Sequence, residues 1–211
     1  MGRIVPWAGA AERFLIRDSV LGPIVERVGP IRLETRPDLF RSLVRSVVGQ
    51  QLSGTAARSI YERLERSLGG MVSPERITEV GAVALRLAGL SRSKAITLCE
   101  LSEAWLDGLP GTAFARLPDS EVERLLTKIK GIGPWTVQMF LLFGLGRPDV
   151  SAPGDLGIRK GVQRVLQAGA LPSVAETAAQ LERWRPYRSG ACWYLWRALE
   201  LPVETTTQSS V

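Results

Sequence analysis

The sequence predicts an all-α fold, and three observations carry that expectation. Apolar residues recur at helical spacing, clearest at Val122, Leu125, Leu126 and Ile129 and again along Leu39, Phe40, Leu43, Val44, Val47 and Val48. Start and stop signals bracket such stretches, as where Ser53 precedes a helical pattern that closes on Gly69-Gly70. Only Ile31-Arg32-Leu33 alternates in the manner of a strand, and no other segment offers it a sheet partner.

Taken in order, residues 1–17 suggest no more than a short arm and one helical turn. Asp18–Val28 reads as a helix, with Pro23 near its start. Arg36–Val48 follows, with Pro37 in the first turn, where a missing N–H costs nothing. Gly49-Gln50-Gln51-Leu52 ends it, and Ser53 caps the next helix, which carries Ala56, Ala57, Ile60, Leu64 and Leu68. Ser73–Val80 and Ala82–Leu87 are short helices. Ser93–Leu106 is longer, with Arg92 and Lys94 at its start, placed for phosphate or for solvent. Pro110–Pro118 is a loop with a turn at Phe114. A capping box of Ser120 and Glu123 opens the next helix. Leu156–Leu166 is capped by Asp155, and Ser173 caps a helix through Leu181. The stretch 184–188 is an aromatic–basic junction. The last helix, Ser189–Leu199, buries Cys192, Leu195, Trp196 and Leu199. The polar tail from Val203 is expected to fray.

Composition narrows the chemistry. The 211 residues carry a net charge of +6, and all but four of the 27 basic residues are arginine, which permits a polyanionic partner without requiring one. There is no histidine, so histidine-based nucleophile pairs and metal sites are excluded. Two cysteines, Cys99 and Cys192, cannot hold a four-cysteine zinc or iron–sulfur site. No zinc, cluster or organic cofactor is therefore expected. The longest mostly apolar run, Val137–Leu145, is too short to span a bilayer, and the N-terminus lacks a secretory pattern. A cytoplasmic protein with no membrane partner is the expectation.

The stretch Leu125–Asp155 organises the rest. Its two helical segments join at Lys130-Gly131-Ile132-Gly133-Pro134, where glycines allow positive φ or close backbone approach, and Pro134 suits a first helical turn. Such a helix–hairpin–helix presents free amides to a phosphate. A Gly-containing turn between two helices is common, and by itself it is better read as a structural turn. What sharpens it is the company it keeps: Lys128 and Lys130 before, Trp135 and Thr136 after, then Pro153-Gly154-Asp155 downstream.

With those residues together, the chain resembles the helix–hairpin–helix/Gly-Pro-Asp superfamily of DNA glycosylases, within it the AlkA-type 3-methyladenine DNA glycosylase II family, from about Asp18 to about Leu201. The resemblance implies two helical subdomains flanking an active-site cleft: residues 36–145 with the hairpin, and 1–35 with 146–211. Relatives with an extra N-terminal β-domain are longer, and this chain lacks room for one. The resemblance implies a monofunctional enzyme that extrudes alkylated bases from double-stranded DNA and hydrolyses the N-glycosidic bond, starting base excision repair. Asp155 becomes the catalytic candidate, although an Asp at a helix start is also a plain N-cap. Trp135 stands where lyase-competent relatives carry a lysine, so no Schiff base is expected. Trp135 with Met139, Leu156, Trp184 and Tyr187 would surround the base, less aromatically than in relatives at 139 and 156. Gln51 would wedge into the duplex, with Leu52 as the alternative; a Gln there is closer to the endonuclease III branch. Amides of Gly131, Gly133 and Thr136, with Lys130, would meet backbone phosphate. Carbonyls of Thr127, Ile129 and Ile132 would hold a monovalent cation, Na+ or K+. Two other readings compete: a non-catalytic DNA-docking hairpin module, and an oxidised-base glycosylase, which Trp135 and the missing cysteine cluster disfavour.

Overall fold

The computed structural model describes residues 3–202; the tail from Val203 lies outside the described residues. In chain order the elements are β1 (Arg3–Ile4), α1 (Ala8–Leu15), α2 (Gly22–Val28), β2 (Glu34–Thr35), α3 (Leu39–Gly49), α4 (Gly54–Ser67), α5 (Pro74–Leu87), α6 (Arg92–Leu106), α7 (Asp119–Leu126), α8 (Pro134–Met139), α9 (Leu156–Val165), α10 (Val174–Glu182) and α11 (Arg188–Ala198). A 3-10 turn covers Gly111–Arg116, and α8 continues as a π-turn through Phe140–Gly144. The chain divides into two compact units. Residues up to Val5 join Glu34–Arg147 in the first; Pro6–Leu33 join the residues from Pro148 onward in the second.

The first unit contains a sheet that the sequence reading did not foresee. Arg3 pairs with Thr35 and Ile4 with Glu34, antiparallel. The strand lies just beyond the Ile31–Leu33 alternation, and its partner is two residues long, too short to show a period of two. That pairing is also why residues 3–5 belong with the first unit rather than with the N-terminal helices.

Helix starts in this unit follow their caps. Asp38, Ser53, Ser73 and Ser91 each accept the amide three residues on, at Arg41, Ala56, Arg76 and Lys94. Asp38 as cap puts Pro37 outside α3, not in its first turn. The expected Ser120–Glu123 box is absent, because α7 begins at Asp119 after Pro118 and leaves Ser120 inside the first turn. Gly81, at φ 67°, breaks α5 into the two short helices expected there. Leu43, Val44, Val47, Leu64, Leu98, Leu101 and Leu126 fill the core. An aromatic chain crosses it, with ring centroids 5.3 Å apart for Phe40–Trp105, 6.1 Å for Trp105–Phe114 and 5.5 Å for Phe114–Phe140.

In the second unit, α1 has two turns rather than one and buries Ala8, Ala11 and Leu15. It packs on α11 at Gly190, where a Cβ would lie 3.2 Å from Ala11 Cβ and from Leu15 Cδ1. Gly161 of α9 meets α11 more tightly still, for a Cβ there would stand 2.6 Å from the Leu195 carbonyl oxygen. A capping box does form at α10, between Ser173 and Glu176. Among the described residues, no helix is long and apolar enough to cross a membrane.

Candidate functional site

In the first unit the hairpin is built by α7, its turn and α8. Gly131 has φ 88°, and a Cβ there would fall 2.1 Å from Thr97 Oγ1, so both conformation and space require glycine. Thr97 Oγ1 donates to the Lys130 carbonyl at 2.9 Å, fixing the turn to α6. Gly133 is the N-cap of α8, and Gly131 and Lys130 are exposed. Thr136 departs from expectation: its amide already donates to Gly133 O at 3.0 Å and the residue is buried. It is an internal anchor rather than a phosphate contact. Thr127, Ile129 and Ile132 lie in the turn between the helices, and Ile129 O accepts from the Ile132 amide at 3.0 Å. Neutral oxygens outside a helix ladder suit a hard monovalent cation. Among the described residues, no group of three His, Cys, Asp or Glu side chains converges to hold a metal.

The loop after α3 brings a second feature. Gln51 is exposed and adopts φ 56°, the left-handed region, which non-glycine residues rarely adopt without a compensating reason. Leu52, 39% exposed, faces a recess of about 330 Å³ that Trp135 and Met139 also line. The Trp135 ring packs over Gly49, where a Cβ would lie 3.9 Å from its Cη2 atom. Arg36, Arg45, Arg58, Tyr61 and Phe143 are also part of its lining. Arg45 stacks 3.6 Å from the Tyr61 ring centroid, and Arg36 lies 5.0 Å from that of Phe143. Burial, and then the charge of Arg45, hold the Arg36 guanidinium below its ordinary pKa. The two arginines were not singled out by sequence, since isolated arginines carry no pattern.

In the second unit, Asp155 caps α9. Its Oδ1 accepts the Ile158 amide at 2.9 Å and also the Trp196 indole N–H at 2.9 Å. Gly157 makes that second bond possible, because a Cβ there would lie 2.8 Å from Trp196 Cδ1 and 3.0 Å from Asp155 Oδ1. The loop leading to Asp155 is held to α11 at several points. Arg188, 10% exposed, donates from Nε to Asp149 Oδ1 at 2.7 Å and from Nη2 to Asp149 Oδ2 at 3.0 Å. Ser189 Oγ accepts the Val150 amide at 2.9 Å, and the Ser189 amide donates to Pro148 O at 3.0 Å. Trp196 and Arg188 are functional candidates that the sequence reading missed. Its helical spacing puts Trp196 on a buried stripe, yet it is only half-buried and turned toward Asp155.

The other expected pocket residues of this unit differ in exposure. Leu156 follows Asp155 and is 52% exposed. Tyr187 precedes α11, with its ring 5.6 Å from Phe14. Trp184 has no exposed surface and belongs to the core, so its expected place in a base pocket does not hold. Apolar environment and a base-stacking surface look alike in sequence for a single tryptophan.

A glycine-bearing hairpin between two helices, with a Pro-Gly-Asp loop downstream whose carboxylate caps a helix, is the pattern of the helix–hairpin–helix class of nucleic-acid proteins. The family comparison agrees: residues 44–186 match the HhH-GPD superfamily of base excision DNA repair proteins, and the chain belongs to that family. DNA-3-methyladenine glycosylase 1 of Schizosaccharomyces pombe is 35% identical over 185 residues, 84% of this chain and 81% of that protein. The fold is similar to that of the Schizosaccharomyces pombe 3-methyladenine DNA glycosylase solved in complex with abasic DNA, with TM-score 0.86 and 34% identity over 91% of this chain and 97% of that one. A DNA-3-methyladenine glycosidase structure from Bacillus halodurans aligns with TM-score 0.74 and 39% identity, covering 89% of this chain and 88% of the other.

Proposed function

We propose that the protein is a monofunctional DNA glycosylase that removes alkylated bases of the 3-methyladenine type from duplex DNA, with Asp155 as its catalytic carboxylate. The observation that carries this reading is the fixing of Asp155 Oδ1 by two N–H donors, the Ile158 amide and the Trp196 indole. N-glycosidic cleavage builds positive charge on the sugar as the base departs. A carboxylate held still beside C1′ stabilises that charge without reorganising, and it can orient the attacking water. A cationic alkylated purine is already a good leaving group, so no acid is needed to protonate it.

The remaining parts serve delivery. Gly131 and Gly133 amides, with Lys130, meet backbone phosphate, a contact that positions the protein without reading sequence. Gln51, held in its left-handed conformation at the loop tip, fills the gap left by the extruded nucleotide. Trp135 and Met139 receive the base, and Trp135 supplies no amine for a Schiff base, so the product is an abasic site. Thr127, Ile129 and Ile132 carbonyls would hold a monovalent cation that keeps the turn in shape. The chain acts as a monomer in the cytoplasm, on chromosomal DNA.

The test is base release from an alkylated duplex by wild type and Asp155→Asn. The variant should bind DNA and keep its cap while losing about 10²–10⁴-fold in release rate. Equal rates would remove Asp155 from the mechanism. Binding with no release from any damaged duplex would favour a docking module, and strand cleavage with borohydride trapping would favour a lyase.

A further inference from the structure

Lys94 and Gln50 link the loop tip to the hairpin through bonds that neither a wedge nor a phosphate grip requires. Lys94, near the start of α6, reaches the C-terminal end of α3, where its ammonium donates to Val48 O at 2.8 Å and Gln50 O at 2.7 Å. These are carbonyls that the end of the helix leaves without intrahelical partners. From the same loop, Gln50 Nε2 donates to Gly131 O at 2.8 Å and to Thr136 Oγ1 at 2.9 Å, using both amide hydrogens on the hairpin. One turn along α6 from Lys94, Thr97 holds Lys130 O. The circuit therefore runs from α6 to the loop, from the loop to the hairpin, and from the hairpin back to α6. Gln51, whose φ is strained, is flanked directly by Gln50 in this circuit. Lys94 has thus been drawn away from the phosphate contact its position in sequence allowed.

We propose that Lys94 and Gln50 are positioning residues that make the wedge loop and the phosphate-gripping hairpin one rigid part, so that seating the hairpin on the backbone drives Gln51 into the stack. The inference rests on the wedge and grip assignments of the proposed function. It predicts that the pair acts on extrusion of the nucleotide and not on cleavage of its bond. A loop that had to be ordered during extrusion would add that entropy to the cost of unstacking; a loop already tied to the anchor does not.

The experiment uses the full chain, with Lys94→Met, Gln50→Glu (same size, no donors), Lys94→Arg and Asp155→Asn. A duplex carrying an abasic analogue, with 2-aminopurine at the step where the loop would enter, reports unstacking at saturating protein and needs no chemistry. Wild type and Asp155→Asn should raise the fluorescence alike. Lys94→Met and Gln50→Glu should lose most of the rise while still binding, and Lys94→Arg, which can donate to both carbonyls, should recover it. In single-turnover release on a paired lesion, Lys94→Met should be slowed about 10- to 100-fold, the loss expected of hydrogen bonds from a charged group, and Gln50→Glu about 10-fold, the loss of two bonds between neutral groups. They should come within about threefold of wild type when the lesion stands opposite an abasic site, where extrusion costs least. Equal slowing on paired and unpaired lesions, or a full fluorescence rise in both variants, would overturn the proposal. Should Asp155→Asn release base as wild type does, the catalytic assignment fails and the fluorescence result still decides this one. If Lys94→Met does not fold, Gln50→Glu carries the same comparison.

Discussion

The indole of Trp196 donates to Oδ1 of Asp155 at 2.9 Å across 41 residues of chain, joining the last turn of α11 to the N-cap of α9. A capping carboxylate needs only the Ile158 amide; the second donor fixes the plane of the carboxyl as well as its place. Trp196→Phe keeps the packing and removes that donor. Hydrogen bonds to charged groups are worth about 1.5–3 kcal/mol, so base release should fall about 10- to 100-fold, with DNA affinity unchanged. Gly157→Ala approaches the same bond from outside. Alanine in a helix is normally favoured over glycine by about 1 kcal/mol, yet here its Cβ meets both partners. Release should drop and the melting temperature should not rise. A more stable, fully active Gly157→Ala would show that the pair has room to spare.

Arg188 holds the start of the same loop. Removing one member of a buried ion pair costs about 3–5 kcal/mol. Asp149 keeps some exposure and a second, longer contact at 3.4 Å to Arg185, which points to the lower end of that range. Arg188→Met should therefore lower Tm by about 6–12 °C, since a domain of this size shifts about 2–4 °C per kcal/mol. Arg188→Lys should recover little, because an ammonium cannot span both Asp149 oxygens as the guanidinium does. Thermal melts of the two variants check this; full recovery by lysine would mean that charge alone matters.

These two clamps mark where sequence reading stops. The helices were legible wherever apolar spacing and a cap coincided, as at Ser53, Ser173 and Asp155. The hairpin and the Pro-Gly-Asp loop were legible because glycine and proline report backbone demands directly. What failed was the pairing and packing set by long-range contact, and one helix start. The Arg3–Thr35 pairing lies in strands too short to carry a period, and Ser120 looked like a cap only because Pro118 could not be weighed against it. Trp184 and Trp196 exchanged roles: the residue assigned to the pocket is core, and the residue assigned to the core holds Asp155. A tryptophan in sequence gives bulk and an N–H, but not which of the two the fold uses.

Cys192 gives a pH prediction. It is wholly buried behind the Asp149–Asp155 loop, with Sγ 3.8 Å from Val150 O, and burial pushes its thiol up to about 12. The folded value lies above the ordinary one, so the folded protein keeps a proton that the unfolded chain has lost. The stability this contributes is complete below about pH 8.5 and disappears as pH climbs toward 12. Tyr194 shifts in the same direction, through burial and then the charge of Glu12. Melts from pH 8 to 11 should show a falling Tm, with a shallower fall in Cys192→Ala. An identical slope in the variant would assign the alkaline limb to Tyr194.

Arg45 sets a limit on what the tryptophan recess can favour. A cation over an indole gains about 0.5–2 kcal/mol. A guanidinium in the same recess repels such a cation by an energy of the same order, about 1–2 kcal/mol at an effective dielectric near 20. Trp135 shares its recess with Arg36, Arg45 and Arg58, and no carboxylate lines it. The charge on an alkylated purine should therefore be tolerated there rather than selected, and a neutral deaminated purine should compete better than the indole alone would allow. Arg45→Met should shift the ratio of release rates, 3-methyladenine-type lesion over neutral deaminated purine, toward the cationic base by about tenfold, the equivalent of about 1.4 kcal/mol. A ratio is the right measure, since losing an arginine weakens DNA binding for both duplexes alike. If single-turnover rates on the two lesions fall in equal proportion, Arg45 serves only the backbone, and the positive lining has no part in choosing the base.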